Sequence, residues 1–250
     1  MDRVYQIILY GATGFTGRLC AKYLRDNYPD IKWAIAGRNK LKLEDLKGSL
    51  RLNCEIFVAD GKDKHSIDHI VRKTKVILST AGPFARYSNL IVKSCVENKT
   101  HYTDITGENH WVKKQMDLYN EEAISKGVRI IPSCGYDSLP SDIGTLFAIN
   151  QMNKSVKKVE VFHSASGGAS GGTIESIFSM GKLPKEMRDP FLLNPKESVS
   201  DFQRKKSADS LSIKWIEEAQ KFAGSAQGRA YTGSAYSDMP QDVLFTGDLA

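Results

Sequence analysis

Two hydrophobic rhythms alternate over the first 140 residues. Short apolar runs read as strands at Tyr5 to Tyr10, Lys32 to Ala36, Glu55 to Ala59, Val76 to Ser79, His101 to Ile105 and Val128 to Ile131. Between them lie segments with helical spacing: Phe15 to about Tyr28, Lys40 to Leu50, Ser66 to Lys73, Asn89 to Asn98 and Asn109 to Lys126. Leucines at 41, 43, 46 and 50 mark the second of these, and Leu90, Ile91, Val92 and Val96 are expected to face inward in the fourth. Strands alternating with helices at this spacing predict an α/β fold with a Rossmann-type, doubly wound parallel sheet. Right-handed crossovers then bring the C-terminal end of every strand to one edge. The segments Gly11 to Gly17, Gly37-Arg38, Asp60-Gly61, Ala81-Gly82-Pro83-Phe84 and Cys134-Gly135-Tyr136-Asp137 would all line it.

Past Leu139 the rhythm changes, which divides the chain into a first domain over 1–140 and a smaller α+β domain over 141–250. Ser141 to Asn150 reads as a helix and Val156 to Ser164 as an alternating strand. A small-residue run, Ala165 to Thr173, leads into a further helix, Ile174 to Met180. Lys182 to Ser210 is polar and broken by Pro184, Pro190 and Pro195, so it reads as loop, with Arg204-Lys205-Lys206 a solvated patch. The last forty residues predict two or three weak strands. No internal repeat is visible.

Composition narrows the class of partner. Hydrophobic residues make up 41% and charged ones 26%, the balance of a soluble globular chain. The net charge of +6 suits an anionic ligand, but no Lys/Arg stripe is interleaved with aromatics, so nucleic acid is not expected. A lipid surface engaged by the basic 185–206 region would need an amphipathic helix that the pattern does not show. Cys20, Cys54, Cys95 and Cys134 are too widely spaced for a zinc site or a dense disulfide framework, and read as reduced thiols of a cytoplasmic protein. The first apolar run is too short for a signal peptide, and no run is long enough to span a membrane.

The candidate chemistry starts at Gly11-Ala12-Thr13-Gly14-Phe15-Thr16-Gly17, between the first strand and the first helix. Glycines without a Cβ allow a sharp turn and close approach of a pyrophosphate, and the helix N-terminus offers free N–H donors. The spacing is G-x-x-G-x-x-G in place of the usual G-x-G-x-x-G. NAD-specific sites carry an acidic residue after the second strand; here the segment is Gly37-Arg38-Asn39-Lys40. Arg38 can pair with a 2′-phosphate and stack beside adenine, which favours NADP, although a plain surface arginine also fits. Asp60 is placed to accept a hydrogen bond from the adenine amino group or, equally, to cap the next helix. Ala81, Gly82 and Pro83 should pass beneath the ribose and nicotinamide, with Tyr87 either a donor near the ring or a packing residue.

Hydride transfer also needs a proton donor or a stabiliser at the acceptor. The one Y-x-x-x-K match, Tyr28 to Lys32, lies at the end of the first helix, away from that edge, and is coincidental. Asp104, Glu108, Cys134, Tyr136 and Asp137 remain, each with a structural role as its plainer alternative. His101, His110 and His163 have no metal spacing, and no metal site is expected.

Five segments in order carry a family resemblance. Gly11 to Gly17, Ala36-Gly37-Arg38, Thr80 to Phe84, Tyr102 to Glu108 and Cys134 to Asp142 resemble the saccharopine dehydrogenase-like oxidoreductases, and Ser170 to Ile174 resembles their trans-acting enoyl reductase branch. The resemblance covers about residues 5 to 180. It implies an NADP-linked reductase of an enoyl or imine group on a lipid-like or small-molecule substrate, and a second domain for substrate and self-association. Tyr136 and Asp137 would then orient substrate or relay a proton, with Cys134 shaping the pocket. Ser138-Leu139 stands where saccharopine reductases commonly have Pro-Gly, which argues against a role in lysine metabolism. Members are usually longer, so the second domain is expected to be incomplete, and a non-catalytic NADP(H)-binding sensor or scaffold is the alternative.

Overall fold

The computed structural model describes residues 3–136, 138–152, 156–162, 171–189, 191–194, 199–201, 211–216, 221–226, 230–231, 234–235 and 244–249. They fall into two compact units: Met1–Cys134 with Ser170–Lys182, and Gly135–Ala169 with Leu183–Ala250.

The first unit is built from β1 (Tyr5–Tyr10), α1 (Phe15–Asn27), β2 (Trp33–Gly37), α2 (Lys40–Ser49), β3 (Glu55–Val58), α3 (Lys64–Val71) and β4 (Thr74–Ser79). It continues through α4 (Phe84–Tyr87), α5 (Asn89–Glu97), β5 (His101–Asp104), α6 (Asn109–Lys126) and β6 (Ile130–Ile131). The six strands form one sheet in the order β3-β2-β1-β4-β5-β6, every pair parallel. Strand order reverses between β1 and β4, and the crevice at such a switch point is where open α/β sheets take ligands.

Helices on both faces explain why the strands are apolar without alternation: all five residues of β2 are buried. Leu9 and Ile35 meet Ala21 and Leu24 of α1 and Leu43 and Leu46 of α2 in one cluster. Ile67, Ile70, Val71, Ile77, Ile91, Val92, Cys95 and Val96 are likewise buried. Each such aliphatic side chain contributes ~1.5–3 kcal/mol on removal from water. Helix ends are set locally. The Asp63 side chain accepts from the His65 and Ser66 amides at the start of α3. Gly127, at φ +65°, closes α6 in the left-handed conformation.

The sequence pattern placed these elements to within a few residues. It did not show α4, whose single turn is too short to carry a period. It also overextended β6, where only Ile130 and Ile131 pair with β5. Leu90 is half-buried, while its neighbours Ile91 and Val92 are fully enclosed.

The second unit contains α7 (Leu139–Gln151) and β7 (Val156–Phe162), whereas α8 (Gly171–Gly181) belongs with the first. The final stretch holds β8 (Leu211–Ile216), β9 (Lys221–Ala226), β10 (Ala230–Tyr231), β11 (Ser234–Ala235) and β12 (Leu244–Leu249). That is more than the two or three strands expected, because β10 and β11 pair over only two residues each. β7 pairs antiparallel with β12 and β8 with β9. Within the stretch expected to be loop, Lys185–Arg188 form a 3-10 turn, and Phe191 and Leu193 are buried. The run 165–170, His163 and Arg204-Lys205-Lys206 lie outside the described residues. Among those described, no helix is long and apolar enough to cross a membrane.

Candidate functional site

The glycine turn closes the C-terminal end of β1 onto α1. Gly11 sits at φ +82°, and a Cβ there would stand 2.8 Å from the Ala81 nitrogen. Its amide donates to the Ala36 carbonyl at 2.9 Å, tying the turn to β2. A Cβ on Gly17 would fall 2.3 Å from the Gly11 carbonyl oxygen and 2.8 Å from the Ala12 backbone. Both glycines are therefore required by the protein's own packing. Gly14 differs: a Cβ would meet only the Gly11 oxygen, at 3.4 Å. Its lack of a side chain leaves open space above the turn, which suits the approach of a ligand.

Gly14 is also the N-cap of α1, and among the described residues no side chain caps the helix. The first-turn amides are thus left for an outside acceptor, and the first turn has no acidic residue to cancel the positive end of the helix dipole. Thr13 and Thr16 flank these amides half-buried, and Phe15 is 72% exposed beside them. Thr80 locks the turn from the β4 side: its amide donates to the Tyr10 carbonyl at 2.9 Å, and its hydroxyl to the Tyr10 and Gly11 carbonyls at 3.2 Å.

The loops after β2 and β3 stand beside this turn. Arg38 is exposed, its guanidinium carbon 5.8 Å from the centre of the Tyr87 ring. Asn39 caps α2, its side-chain oxygen accepting from the Lys42 amide at 3.0 Å. Asp60 closes a tight local turn by accepting from the Lys62 amide at 2.9 Å, while the start of α3 is capped by Asp63. Gly61 is wedged below α4: a Cβ would lie 2.3 Å from the Tyr87 carbonyl oxygen and 3.2 Å from the Tyr10 hydroxyl. Tyr10 itself is pushed up to about 12 by burial, partly offset by a backbone hydrogen bond from Gly61. After β4, Ala81 abuts Gly11, Gly82 lies against the Phe84 ring and Pro83 is buried behind a cis peptide bond.

The other side of the edge is organised by two buried carboxyl groups. Glu108, 1% exposed, accepts from the Phe84 amide at 2.9 Å, the Ala85 amide at 2.8 Å and the Ser176 hydroxyl at 2.9 Å. It therefore caps α4 from a distant loop and holds α8 to it. Asp104, equally buried, accepts from the Tyr102 hydroxyl at 2.8 Å, the Thr106 amide at 2.9 Å and the Ser133 amide at 3.0 Å. Burial, offset by those bonds and reinforced by Glu108, raises it to about 6. Tyr102, with the Ser79 and Ser88 hydroxyls beside it, is pushed well above its usual value, chiefly by burial.

Cys134 follows β6, its amide bonded to the Asp104 carbonyl at 2.7 Å and its thiol half-buried, 3.5 Å from the Ile131 carbonyl. Tyr136 is 55% exposed and belongs to the second unit; Asp137 lies outside the described residues. The structure thus brings Gly11, Gly17 and Ala81 into contact and gathers Arg38 onto Tyr87. The saturation of Asp104 and Glu108 had no sequence signal, since their partners lie up to 68 residues away. Among the described residues, no group of ligands could hold a metal ion.

An open glycine turn, uncapped amides and an arginine after β2 make a fitting seat for a phosphorylated dinucleotide. Comparison with known proteins agrees. The family model described as the saccharopine dehydrogenase NADP binding domain matches residues 7–131. A lipid droplet localized protein of Caenorhabditis elegans is 32% identical over 67% of the chain and 41% of its own length. A saccharopine dehydrogenase-like oxidoreductase of Rattus norvegicus is 33% identical over 68% and 43%, and a trans-acting enoyl reductase of Mycobacterium ulcerans 31% identical over 79% and 51%. The chain thus spans about half the length of these relatives, or less. A solved structure, the apo histidine-tagged saccharopine dehydrogenase (L-Glu forming) from Saccharomyces cerevisiae, shares the fold at TM-score 0.52 and 17% identity, covering 90% of this chain and 45% of that one. With its doubly wound sheet and that match, the chain belongs to the saccharopine dehydrogenase family, and residues 7–131 are that family's NADP-binding domain.

Proposed function

We propose that the protein is an NADPH-dependent reductase acting on an enoyl or imine group of a lipid-like or other small molecule. The carrying observation is Gly14, which the fold does not need, placed over the uncapped first turn of α1. In this reading the first-turn amides of Phe15, Thr16 and Gly17, flanked by Thr13 and Gly14, hold the diphosphate and Arg38 pairs with the 2′-phosphate, with Asn39 and Asp60 bordering the adenosine half. Ala81, Gly82 and Pro83 form the floor under the nicotinamide half. Bound NADPH supplies the hydride. Cys134, Tyr136 and Asp137 are proposed to shape the acceptor pocket and to orient substrate or pass a proton. The enoyl acceptor rests on the name of the mycobacterial relative, and the lipid-like substrate on that of the nematode one. Four unpaired cysteines fit a reducing, cytoplasmic setting.

A second reading, an NADP(H)-binding sensor or scaffold without turnover, is favoured by one observation. The two carboxyl groups buried at this edge, Asp104 and Glu108, direct their acceptors to the protein's own donors.

Fluorescence titration of wild type and Arg38→Ala with NADPH and NADH tests the cofactor assignment. The expected result is a loss of at least ~1.5 kcal/mol for NADPH, the size of a charge-assisted contact, with little change for NADH. Equal losses for both would remove Arg38 from the phosphate. NADPH oxidation measured against enoyl thioesters and imines then separates the readings: turnover supports the reductase, and tight binding without turnover the sensor.

A further inference from the structure

Arg38 does not stand alone at its ring. The Lys62 ammonium lies 5.9 Å from the centre of the Tyr87 ring, and the Arg86 guanidinium carbon 5.3 Å, beside Arg38 at 5.8 Å. The three cations come from three segments, the loops after β2 and β3 and the turn α4, all at the C-terminal edge of the sheet. Each is exposed. Glu175 of α8 forms an ion pair with Arg86 at 3.3 Å, but no salt bridge engages Arg38 or Lys62 among the described residues. Three like charges around one ring repel one another. The negative face of the ring offsets part of that repulsion, and a polyanion would offset far more.

The cluster is fixed by the backbone. Gly61 has no Cβ, so the β3 loop can lie directly under the Tyr87 carbonyl, and the buried Tyr10 hydroxyl holds Gly61 from the other side. Asp60, which accepts from the Lys62 amide, sets the course of that loop. The Tyr87 backbone is therefore held against the loop that follows β3. Arg38 and Lys62 meet over it from neighbouring strands.

We propose that Tyr87 is the platform of a three-cation cradle, Arg38, Lys62 and Arg86, which reads the 2′-phosphate of the dinucleotide. This rests on the NADP reading above and deepens it, because selectivity is spread over three segments and not placed on Arg38 alone. Lys62 supplies a mobile point charge. Arg86 supplies a fork of donors that exchanges the Glu175 carboxylate for phosphate oxygens. Tyr87 is a positioning residue, holding the three side chains near one place before the ligand arrives.

The test is isothermal titration of the full chain with NADPH, NADH, adenosine 2′,5′-bisphosphate and adenosine 5′-monophosphate. Wild type should prefer the two 2′-phosphorylated ligands. Lys62→Gln and Arg86→Gln should each weaken them three- to tenfold, leaving NADH and the 5′-monophosphate within twofold. Tyr87→Leu should weaken them similarly, and Tyr87→Phe, which keeps the ring face, should restore most of the loss. Raising the salt should shrink the wild-type preference more than that of Lys62→Gln. A wild-type preference unchanged in Lys62→Gln and Arg86→Gln but lost in Arg38→Gln would overturn the cradle and leave the NADP reading intact. Wild type binding neither dinucleotide would overturn both. The substituted side chains are exposed at 62 and 86, and melting curves within a degree or two of wild type would show that folding is preserved.

Discussion

The two halves of the sheet's C-terminal edge are built by opposite means. The segments after β1 and β3 meet their neighbours through missing side chains: Gly11 against Ala81, Gly17 against Gly11 and Gly61 against Tyr87. Backbone touches backbone there, and the first-turn amides of α1 remain uncapped. Over β4, β5 and β6 the loops meet through added side chains. Asp104 and Glu108 each draw three donors inward and are shielded from water. The first method leaves donors and positive charge for an outside molecule. The second uses up its polar groups to hold α4, α8 and the Ser133 turn in place. The uncapped amides and the buried polar network thus lie at the ends of different strands of one sheet.

The comparison can be broken most directly at Gly17. Gly17→Val puts a Cβ inside backbone contact distance of Gly11 and Ala12. We expect a loss of about 3 kcal/mol or more in urea unfolding, together with loss of NADPH binding. A variant as stable as wild type would show that the turn yields easily. Glu108→Ala strikes the other half: two buried amides and a hydroxyl lose their acceptor, and a loss of about 3 kcal/mol is expected. Because the turn it caps carries Arg86 and Tyr87, the folded variant should lose more affinity for NADPH than for NADH, and wild-type affinities for both would show that the turn holds without its cap.

Asp104 sharpens the contrast through pH. Its folded value of about 6 lies above the ordinary 3.8. Between those values the folded protein keeps a proton that the unfolded chain has released. Stability should therefore fall as pH rises from about 4 to about 6, by up to about 3 kcal/mol, and level off above. Asp104→Asn should flatten that decline in melting temperatures taken across the range. An unaltered slope would assign the pH dependence elsewhere. The smallest effect is expected at Asn39→Ala, where loss of the α2 cap costs about 1 kcal/mol. An NADPH loss beyond threefold in that variant would add a ligand contact to the cap.

The open half was legible in the sequence, and the closed half was not. Glycines between an apolar strand and a helix announce a turn because the reason for them is local. The place of Arg38 on that edge could be read because it follows from the end of β2. Nothing comparable marks Glu108. Its amides belong to Phe84 and Ala85, its hydroxyl to Ser176, and the short α4 that it caps has no period to read. Lys62 and Arg86 escaped for a similar reason: they sit in separate segments and meet only at Tyr87. The small antiparallel pairs of the second unit were understated because two-residue strands leave no alternation behind.

The excursion of α8 into the first unit makes the two units interleaved along the chain. A cut after residue 140 would keep all six parallel strands yet strip the hydroxyl from Glu108 and the carboxylate from Arg86. The nucleotide-binding half is therefore not a detachable cassette. Whatever bends or shifts α8 acts on the turn that carries Phe84 to Tyr87, through the hydroxyl on Glu108 and the carboxylate on Arg86.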